Sequence, residues 1–343
     1  MVTIKDIAKA AGVSPSTVSR VISNHSRISK ATTEKVKRIM EEMGYHPNLM
    51  AKSLVSKTTN ALAIVLPRPA EELFQDFFFG ELLRGILAHS TKAGYDMLLS
   101  AATSPNDEQE TISRLVLGRR VDGVILLSAR QDDPLIELLA NHDFPTVLIG
   151  RTEGHDNIIT VDTDNIQAAY DATLHMIKQG HTRIGFVVGE PNLTVSVDRL
   201  AGYRKAMVEA GLAINPEWIV DGEFLQQSGY RAMSFVMNIP ERPTALVVID
   251  DITAFGVLRG LNELGYQVPT DISLVSFNNI ALAELASPAI SSVDIGTYQL
   301  GYTASHLLVR RIQEHLTSQA RNIIPHRLVV RESSIQDFHK RGN

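Results

Sequence analysis

Between Ser14 and Ile22 the sequence reads Ser-Pro-Ser-Thr-Val-Ser-Arg-Val-Ile. Ser14, Ser16, Thr17 and Ser19 are compact hydroxyl donors for phosphates or base edges, and Arg20 offers the planar fork that pairs with guanine O6 and N7. This is the chemistry of recognition. A second set lies far along the chain: Arg199 carries five donors in a rigid fork able to hold two vicinal hydroxyls. Asp250 and Asn278 each follow a short apolar run, where side chains are well placed to accept or donate hydrogen bonds. Glycine-rich phosphate loops, His-Glu-x-x-His and Gly-x-Ser-x-Gly are absent, and the 11 histidines show no metal-ligand spacing. Neither catalysis, a cofactor nor a metal is expected.

The first set needs a scaffold. Thr3 stands three residues before Asp6 at the start of the apolar series Ile4, Ile7, Ala8, Ala11, which reads as a capping box opening a short helix with one buried face. Gly12 supplies a tight turn, and Ser14-Pro15 reads as N-cap and first residue of a second helix that turns Val18, Val21 and Ile22 inward. Two short helices joined by a glycine turn form a helix-turn-helix, whose second member enters the DNA major groove. A plain helical bundle with a Ser/Thr-rich surface is the alternative. A third helix is expected over 29–43, with Val36, Ile39, Met40 and Met43 on one face and Gly44 ending it. Its Lys35, Lys37 and Arg38 are phosphate contacts or a solvated face. Pro47-Asn48 then opens the stretch 49–56. A helix shorter than ~12–15 residues frays in water, so this one would order against DNA.

Residues 3–57, from Thr-Ile-Lys-Asp-Ile-Ala-Lys-Ala-Ala-Gly-Val-Ser-Pro-Ser-Thr-Val-Ser-Arg-Val-Ile through Gly-Tyr-His-Pro-Asn-Leu-Met-Ala-Lys-Ser-Leu, resemble the DNA-binding head of the lac/gal repressor family. The resemblance implies that Pro15, Ser16 and Arg20 are base-reading positions. It also implies a hinge helix in which Leu54, with Ala51 beside it, wedges between base pairs from the minor groove. The expected DNA-contacting set is Thr3, Ser14, Pro15, Ser16, Thr17, Ser19, Arg20, Arg27, Ser29, Asn48, Ala51 and Leu54.

Charge supports this division. Residues 1–60 hold 10 Lys+Arg and 4 Asp+Glu, a net +6, which leaves −11 for the remainder of a chain whose total is −5. A basic head on an acidic body confines nucleic-acid binding to one end. There is no cysteine, which excludes disulfides, thiol catalysis and zinc-thiolate sites. No apolar run follows a basic N-terminal region, and none reaches the ~20 residues of a membrane helix, so a cytoplasmic protein without a membrane partner is expected.

From Ala61 onward the texture changes. Short apolar runs at 61–66, 95–99, 121–127 and 146–149 alternate with helical stretches near 78–93, 106–118 and 134–141. The pattern restarts with strands at 183–188, 245–249 and 274–277 and helices near 198–210, 227–237 and 252–264. Such alternation argues for parallel sheets covered on both faces, with ligands at the C-terminal strand ends. The expected fold is thus a small all-α helix-turn-helix head followed by an α/β two-lobed core. Its segments would be a DNA-binding domain at 1–47, a hinge helix and linker at 48–60, and an effector-binding and dimerisation domain at 61–338.

The resemblance implies that this core is like periplasmic binding proteins. The chain would cross between lobes near 161–163, 288–292 and 320–324, giving an N-lobe of about 61–161 plus 292–320 and a C-lobe of about 163–288 plus 323–338. A helix at 296–317 would return to the first lobe and a strand at 326–331 to the second. Arg199, within Arg-x-x-Gly-Tyr, matches the family's ligand-gripping arginine, read as beginning a helix; a structural ion pair is the competing role. Phe224 matches a position where relatives place an aromatic against a sugar ring, and core packing competes for it. Asp250 matches a cleft position, whereas Asp251 is expected to serve the following helix N-terminus. Asn278-Asn279 stands where many relatives carry Asp-Asp. The segment 66–79, ending Phe77-Phe78-Phe79, resembles the loop of maltose and malto-oligosaccharide regulators. The expected effector set is Phe78, Ser100, Ser128, Asp162, Arg199, Phe224, Asp250 and Asn278, although Ser100, Ser128, Arg151, Asp162 and Asn165 each also read as cap or turn residues. These features together predict a homodimer that binds a pseudo-palindromic operator and responds to a small-molecule sugar. Alternatives are catabolite control through a phosphorylated carrier protein and sugar transport.

Overall fold

The computed structural model describes residues 2–22, 27–45, 58–66, 69, 76–314 and 321–335. The chain divides into two compact units, Met1–Thr59 and Asn60–Asn343. The first contains helices α1 (Ile4–Ala11), α2 (Pro15–Ile22) and α3 (Lys30–Glu42). The capping box forms as the spacing predicts: Asp6 Oδ2 accepts from the Thr3 amide at 2.9 Å, and the Asp6 amide donates back to Thr3 Oγ1. Gly12, at φ +64°, turns the chain out of α1, and Ser14 Oγ caps α2 by accepting from the Thr17 amide at 3.1 Å. Ser29 Oγ does the same for α3 with the Thr32 amide. Ile7, Ala8, Ala11, Val18, Val21 and Val36 close a small shared core. Residues 48–57 of the hinge and linker expected over 48–60, with Asn48, Ala51 and Leu54, lie outside the described residues.

The second unit contains two six-stranded sheets. The first is ordered β11-β5-β4-β3-β1-β2. Its strands are β1 (Ala61–Leu66), β2 (Asp96–Ala101), β3 (Gly123–Leu126), β4 (Thr146–Ile149), β5 (Ile159–Thr163) and β11 (Arg321–Ile324). The second is ordered β12-β10-β9-β8-β6-β7. It comprises β6 (Ile184–Val188), β7 (Ile219–Asp221), β8 (Ala245–Val248), β9 (Ser273–Phe277), β10 (Ser291–Asp294) and β12 (Arg327–Val329). All neighbours run parallel except β10 and β12. Central strands such as β3, β4 and β8 are buried along their whole length, as continuous apolar runs covered on both faces must be.

Both sheets reverse their winding direction between their first and third strands, at β1/β3 and at β6/β8. At such a point the loops beyond the strand ends diverge and leave a crevice. The second crossing between lobes falls slightly later than expected. β10 pairs in the second sheet and β11 in the first, so the chain crosses after Asp294, just past the expected 288–292, and after Ile324, at the end of the expected 320–324. Backbone pairing holds these strands to the sheet they leave, and the link after each is short. β7 and the helix α7 (Asn165–Lys178), which follows the first crossing, are additional to the elements expected.

Helices α4 (Phe77–Ser90) and α12 (Thr297–Glu314) pack closely on the first lobe. Their backbones approach at Gly85 and Gly301: a Cβ on Gly301 would lie 2.1 Å from the Leu82 carbonyl oxygen, and one on Gly85 2.2 Å from that of Tyr298. Any side chain there would force the helices apart and displace both N-termini.

One buried carboxylate ties the second lobe together. Asp251, at the start of α10 (Asp251–Glu263), accepts from Ser292 Oγ at 2.7 Å, from the Ile280 amide at 2.8 Å and from the Ser276 hydroxyl. Burial outweighs these bonds and pushes its carboxyl up to about 7. Because the folded state holds this proton more tightly than the unfolded chain, the contribution to stability is full below about pH 4 and lost as pH rises toward 7. Asp251→Asn should therefore flatten the fall in stability between pH 4 and 7, by up to ~1.4 kcal/mol per pH unit, in urea unfolding across that range. An unchanged slope would count against this assignment.

Candidate functional site

A cavity enclosing about 170 Å3 lies at the C-terminal strand ends, between the two lobes. Seven of the eight expected effector residues line it: Phe78, Ser128, Asp162, Arg199, Phe224, Asp250 and Asn278. Ser100 does not. It lies on β2, paired with Val65 of β1, at the outer edge of the first sheet and one strand beyond the switch point.

Arg199 is the centre of the polar wall. It lies in the second turn of α8 (Thr194–Glu209), not at the helix start as expected, and is 2% exposed. Its Nε donates to Asn165 Oδ1 at 3.0 Å, its Nη1 donates to the Ile249 carbonyl at 2.5 Å, and its plane covers the Phe277 ring at 4.2 Å. Asn165 Nδ2 in turn donates to Asp162 Oδ1 at 3.0 Å, which also accepts from the Thr163 amide. Burial lowers the guanidinium to about 10, against the pull of Asp250 and Asp162, so it stays charged at neutral pH. Burial likewise raises the Asp162 carboxyl to about 6.

The roles expected for the Asp250-Asp251 pair are reversed in part. Asp250, although it lines the cavity, is the N-cap of α10 and accepts from the Thr253 amide at 2.8 Å. Asp251 instead faces the β9 and β10 serines. A carboxylate directly ahead of a helix completes the first-turn amides, and the next residue is carried round toward the sheet.

Phe224 serves both of its competing roles: its ring lines the cavity and packs on the main core so closely to Gly189 that a Cβ there would lie 2.1 Å from its Cε2. Its backbone is left-handed at φ +56°, as is that of Asn278 at φ +94°. Strain of this kind persists where surrounding structure fixes the conformation, and it concentrates at functional sites. Asp76 caps α4 through the Phe78 amide at 2.9 Å and so aims Phe78 and Phe79 at the cavity, while Phe77 is 52% exposed outside it. Ser128, just past β3, has a buried hydroxyl with no hydrogen-bond partner among the described residues.

No local pattern in the sequence announces the contacts that bridge the lobes. The Thr194 amide donates to the Ala129 carbonyl at 3.0 Å, and the Gln131 amide to that of Asn192 at 2.9 Å. Arg151, read as a cap or turn residue, donates through Nε and Nη2 to both oxygens of Asp198 at 2.7 Å. These hydrogen bonds raise the Arg151 guanidinium above its ordinary value. Arg130 is anchored beside this seam by Glu108 at 2.7 Å. Pairs separated by more than forty residues have no local pattern to announce them.

In the head, Pro15, Ser16, Ser19 and Arg20 lie exposed on α2, Thr17 is half-buried, and Arg27 is exposed beyond the helix. Ser14 Oγ also lies 2.7 Å from Ser16 Oγ, so one hydroxyl bond network presents the helix N-terminus. Thr3 and Ser29 are engaged as caps. Among the described residues no cluster of three or more His, Cys, Asp or Glu is placed to hold a metal ion, and no helix is long and apolar enough to cross a membrane.

Arg199 therefore carries structure as well as a cavity wall. Arg199→Ala would take the donor from Asn165 Oδ1 and from the Ile249 carbonyl and remove the counter-charge to Asp162 and Asp250. We expect a loss of ~2–4 kcal/mol in chemical denaturation; an undiminished midpoint would show that these bonds contribute little.

Residues 3–48 match the family described as bacterial regulatory proteins, lacI family, and residues 173–334 match the periplasmic binding protein-like domain. The chain is 36% identical over 336 residues to the HTH-type transcriptional regulator MalR of Streptococcus pneumoniae, covering 96% of this chain and 99% of the relative. Catabolite control protein A of Priestia megaterium is 32% identical over 334 residues, covering 97% and 99%. Among solved structures, a complex of the transcriptional regulator CelR with cellobiose aligns over 97% of this chain and 100% of that one, at 33% identity and a TM-score of 0.76. With the helix-turn-helix head, the two-lobed α/β core and full-length similarity all in agreement, the chain belongs to the lacI family of bacterial transcriptional regulators.

Proposed function

We propose that this chain is a cytoplasmic, non-catalytic repressor of sugar-utilisation genes that binds a pseudo-palindromic operator as a homodimer, with a malto-oligosaccharide as effector. One observation carries the reading: a single chain joins an exposed helix face of hydroxyls and arginine to a cavity where a buried guanidinium, an unpartnered hydroxyl and aromatic rings converge. In this reading Pro15, Ser16 and Arg20 read base edges, and Ser14, Thr17, Ser19, Arg27, Thr3 and Ser29 place the head on phosphates. Asn48, Ala51 and Leu54 engage the minor groove. One recognition helix reads too few base pairs to specify a site, so paired heads on two half-sites are needed. Within the cavity Arg199, Asp162, Asp250, Asn278 and Ser128 would exchange hydrogen bonds with sugar hydroxyls, and Phe78 and Phe224 would cover the apolar ring face.

The similarity to MalR supports maltose-type effectors, and the cellobiose complex of CelR supports a glucoside in this cavity. The similarity to catabolite control protein A favours a second reading, in which a phosphorylated carrier protein is the co-effector. Fluorescence anisotropy with labelled operator separates them: maltose or maltotriose alone should shift the operator titration at least tenfold. A shift that appears only with the phosphorylated carrier would transfer the proposal to the second reading.

The head also makes its own prediction. Arg20→Ala should lower the ratio of operator to random-sequence affinity by about 10- to 100-fold, the ~1–3 kcal/mol of a lost bidentate base contact, with sugar affinity by calorimetry unchanged. Equal loss at both sites would mean that the two units do not act separately.

A further inference from the structure

The central cavity is not closed off at Phe78 and Asn278. Both residues also line a second, outer space, where α4 of the first lobe faces the loop 278–281 of the second across the start of α12. Phe77, half-exposed on α4, and Tyr298, on α12, line it, and the Arg84 guanidinium sits over the Tyr298 ring at 4.3 Å. Glu81 holds that guanidinium in place through two bonds of 2.8 and 2.6 Å.

The polar complement is hydroxyl-directed. Asn279 and Gln299 supply amides and Asp294 a carboxylate to the same space. Thr297, at 6% exposed, has a buried hydroxyl with no hydrogen-bond partner among the described residues. A buried hydroxyl left unpaired costs stability unless something meets it. Ser128 presents the same feature in the central cavity. The residues between the two spaces, Asn278 and Asn279, both hold left-handed backbone, at φ +94° and +49°. Arg331 fixes the second through its side-chain oxygen at 2.8 Å. A strained, braced pair of amides thus stands at the passage from one space to the other.

We infer that the outer space is a second sugar subsite, and that the effector is an oligosaccharide whose inner residue occupies the central cavity while the next residues run out past Phe78 and Asn278 onto Tyr298. This inference rests on the sugar reading proposed above and extends it to chain length. Flat aromatic faces, a planar guanidinium and side-chain amides suit a neutral glucan, which offers an apolar ring face and a rim of hydroxyls on every residue. The space spans both lobes, so a ligand long enough to fill it touches the first lobe through Tyr298 and the second through Asn279 at once.

Calorimetry on the full-length protein tests this, using glucose, maltose, maltotriose and maltotetraose, with the cello-oligosaccharides as a second series. Within the series that binds, affinity should rise at least tenfold on lengthening beyond the monosaccharide. Tyr298→Ala should abolish that gain and leave the shortest binding sugar within twofold of the unsubstituted protein. Thr297→Val, which keeps the shape of the side chain and removes only its hydroxyl, should lower affinity for the longer sugars alone. Affinity independent of length, or equal losses for short and long sugars in Tyr298→Ala, would overturn the outer subsite while leaving the sugar reading intact. If no saccharide of any length binds, the sugar reading falls and the subsite falls with it.

Discussion

Much of this molecule hangs on how one buried guanidinium is held. Arg199 is nearly sealed from solvent and keeps its charge only because Asn165, the Ile249 carbonyl and the Phe277 face surround it and carboxylates lie close by. An isolated ion would be prohibitively costly to bury, so the surroundings must be built before the arginine is tolerable. That requirement links elements far apart in sequence. Asn165 comes from the first turn of α7, Ile249 from just beyond β8, and Asp162 from β5 of the other sheet. The cavity wall is preorganised because the same bonds that hold it hold the lobes.

The residue before Arg199 does the opposite work. Asp198 reaches out of the second lobe to Arg151 of the first, so two consecutive residues of α8 serve separate purposes. One fixes the interior of its own lobe, and the other grips the neighbour. A helix turns about 100° per residue, which is why adjacent positions can face a core and a seam. Movement of α8 would therefore be felt in the cavity and at the lobe boundary together.

How much of this was legible depended on the range of the interaction. The capping box at Thr3 and Asp6, the turn at Gly12 and the caps at Ser14 and Ser29 are contacts within four residues, and each formed where its residue types stood. Strand-end positions were legible too, because an apolar run ending in a polar residue places that residue at the sheet's edge; Ser128, Asp250 and Asn278 all reached the cavity this way. Ser100 satisfied the same local rule and failed, since the order of strands within a sheet is not written in any one strand. Similarly, Asp250 and Asp251 are identical in type and adjacent, and only the twist of α10 against β9 decided which one capped the helix. Arg151 with Asp198 and Ala129 with Thr194 were invisible for the same reason.

Magnitudes show why such a seam suits a switch. Useful coupling between a ligand site and a distant binding site requires ~1–3 kcal/mol. Two backbone hydrogen bonds at ~0.5–1.5 kcal/mol each, and a charged two-point pair at ~1.5–3, give the polar contacts across the lobe boundary a strength of only a few kcal/mol. Arg151 is about a quarter exposed, so solvent trims its share further. Contacts of that strength lie within reach of the differential interactions that a ligand between the lobes would make with each of them. Apolar side chains of both lobes also join in one cluster, from Leu62 and Ile125 to Phe186 and Val275, so the polar contacts are the directional part of the boundary and not the whole of it. Because those contacts are directional, a ligand that favours one of their arrangements can shift the lobes while the apolar cluster they share stays packed.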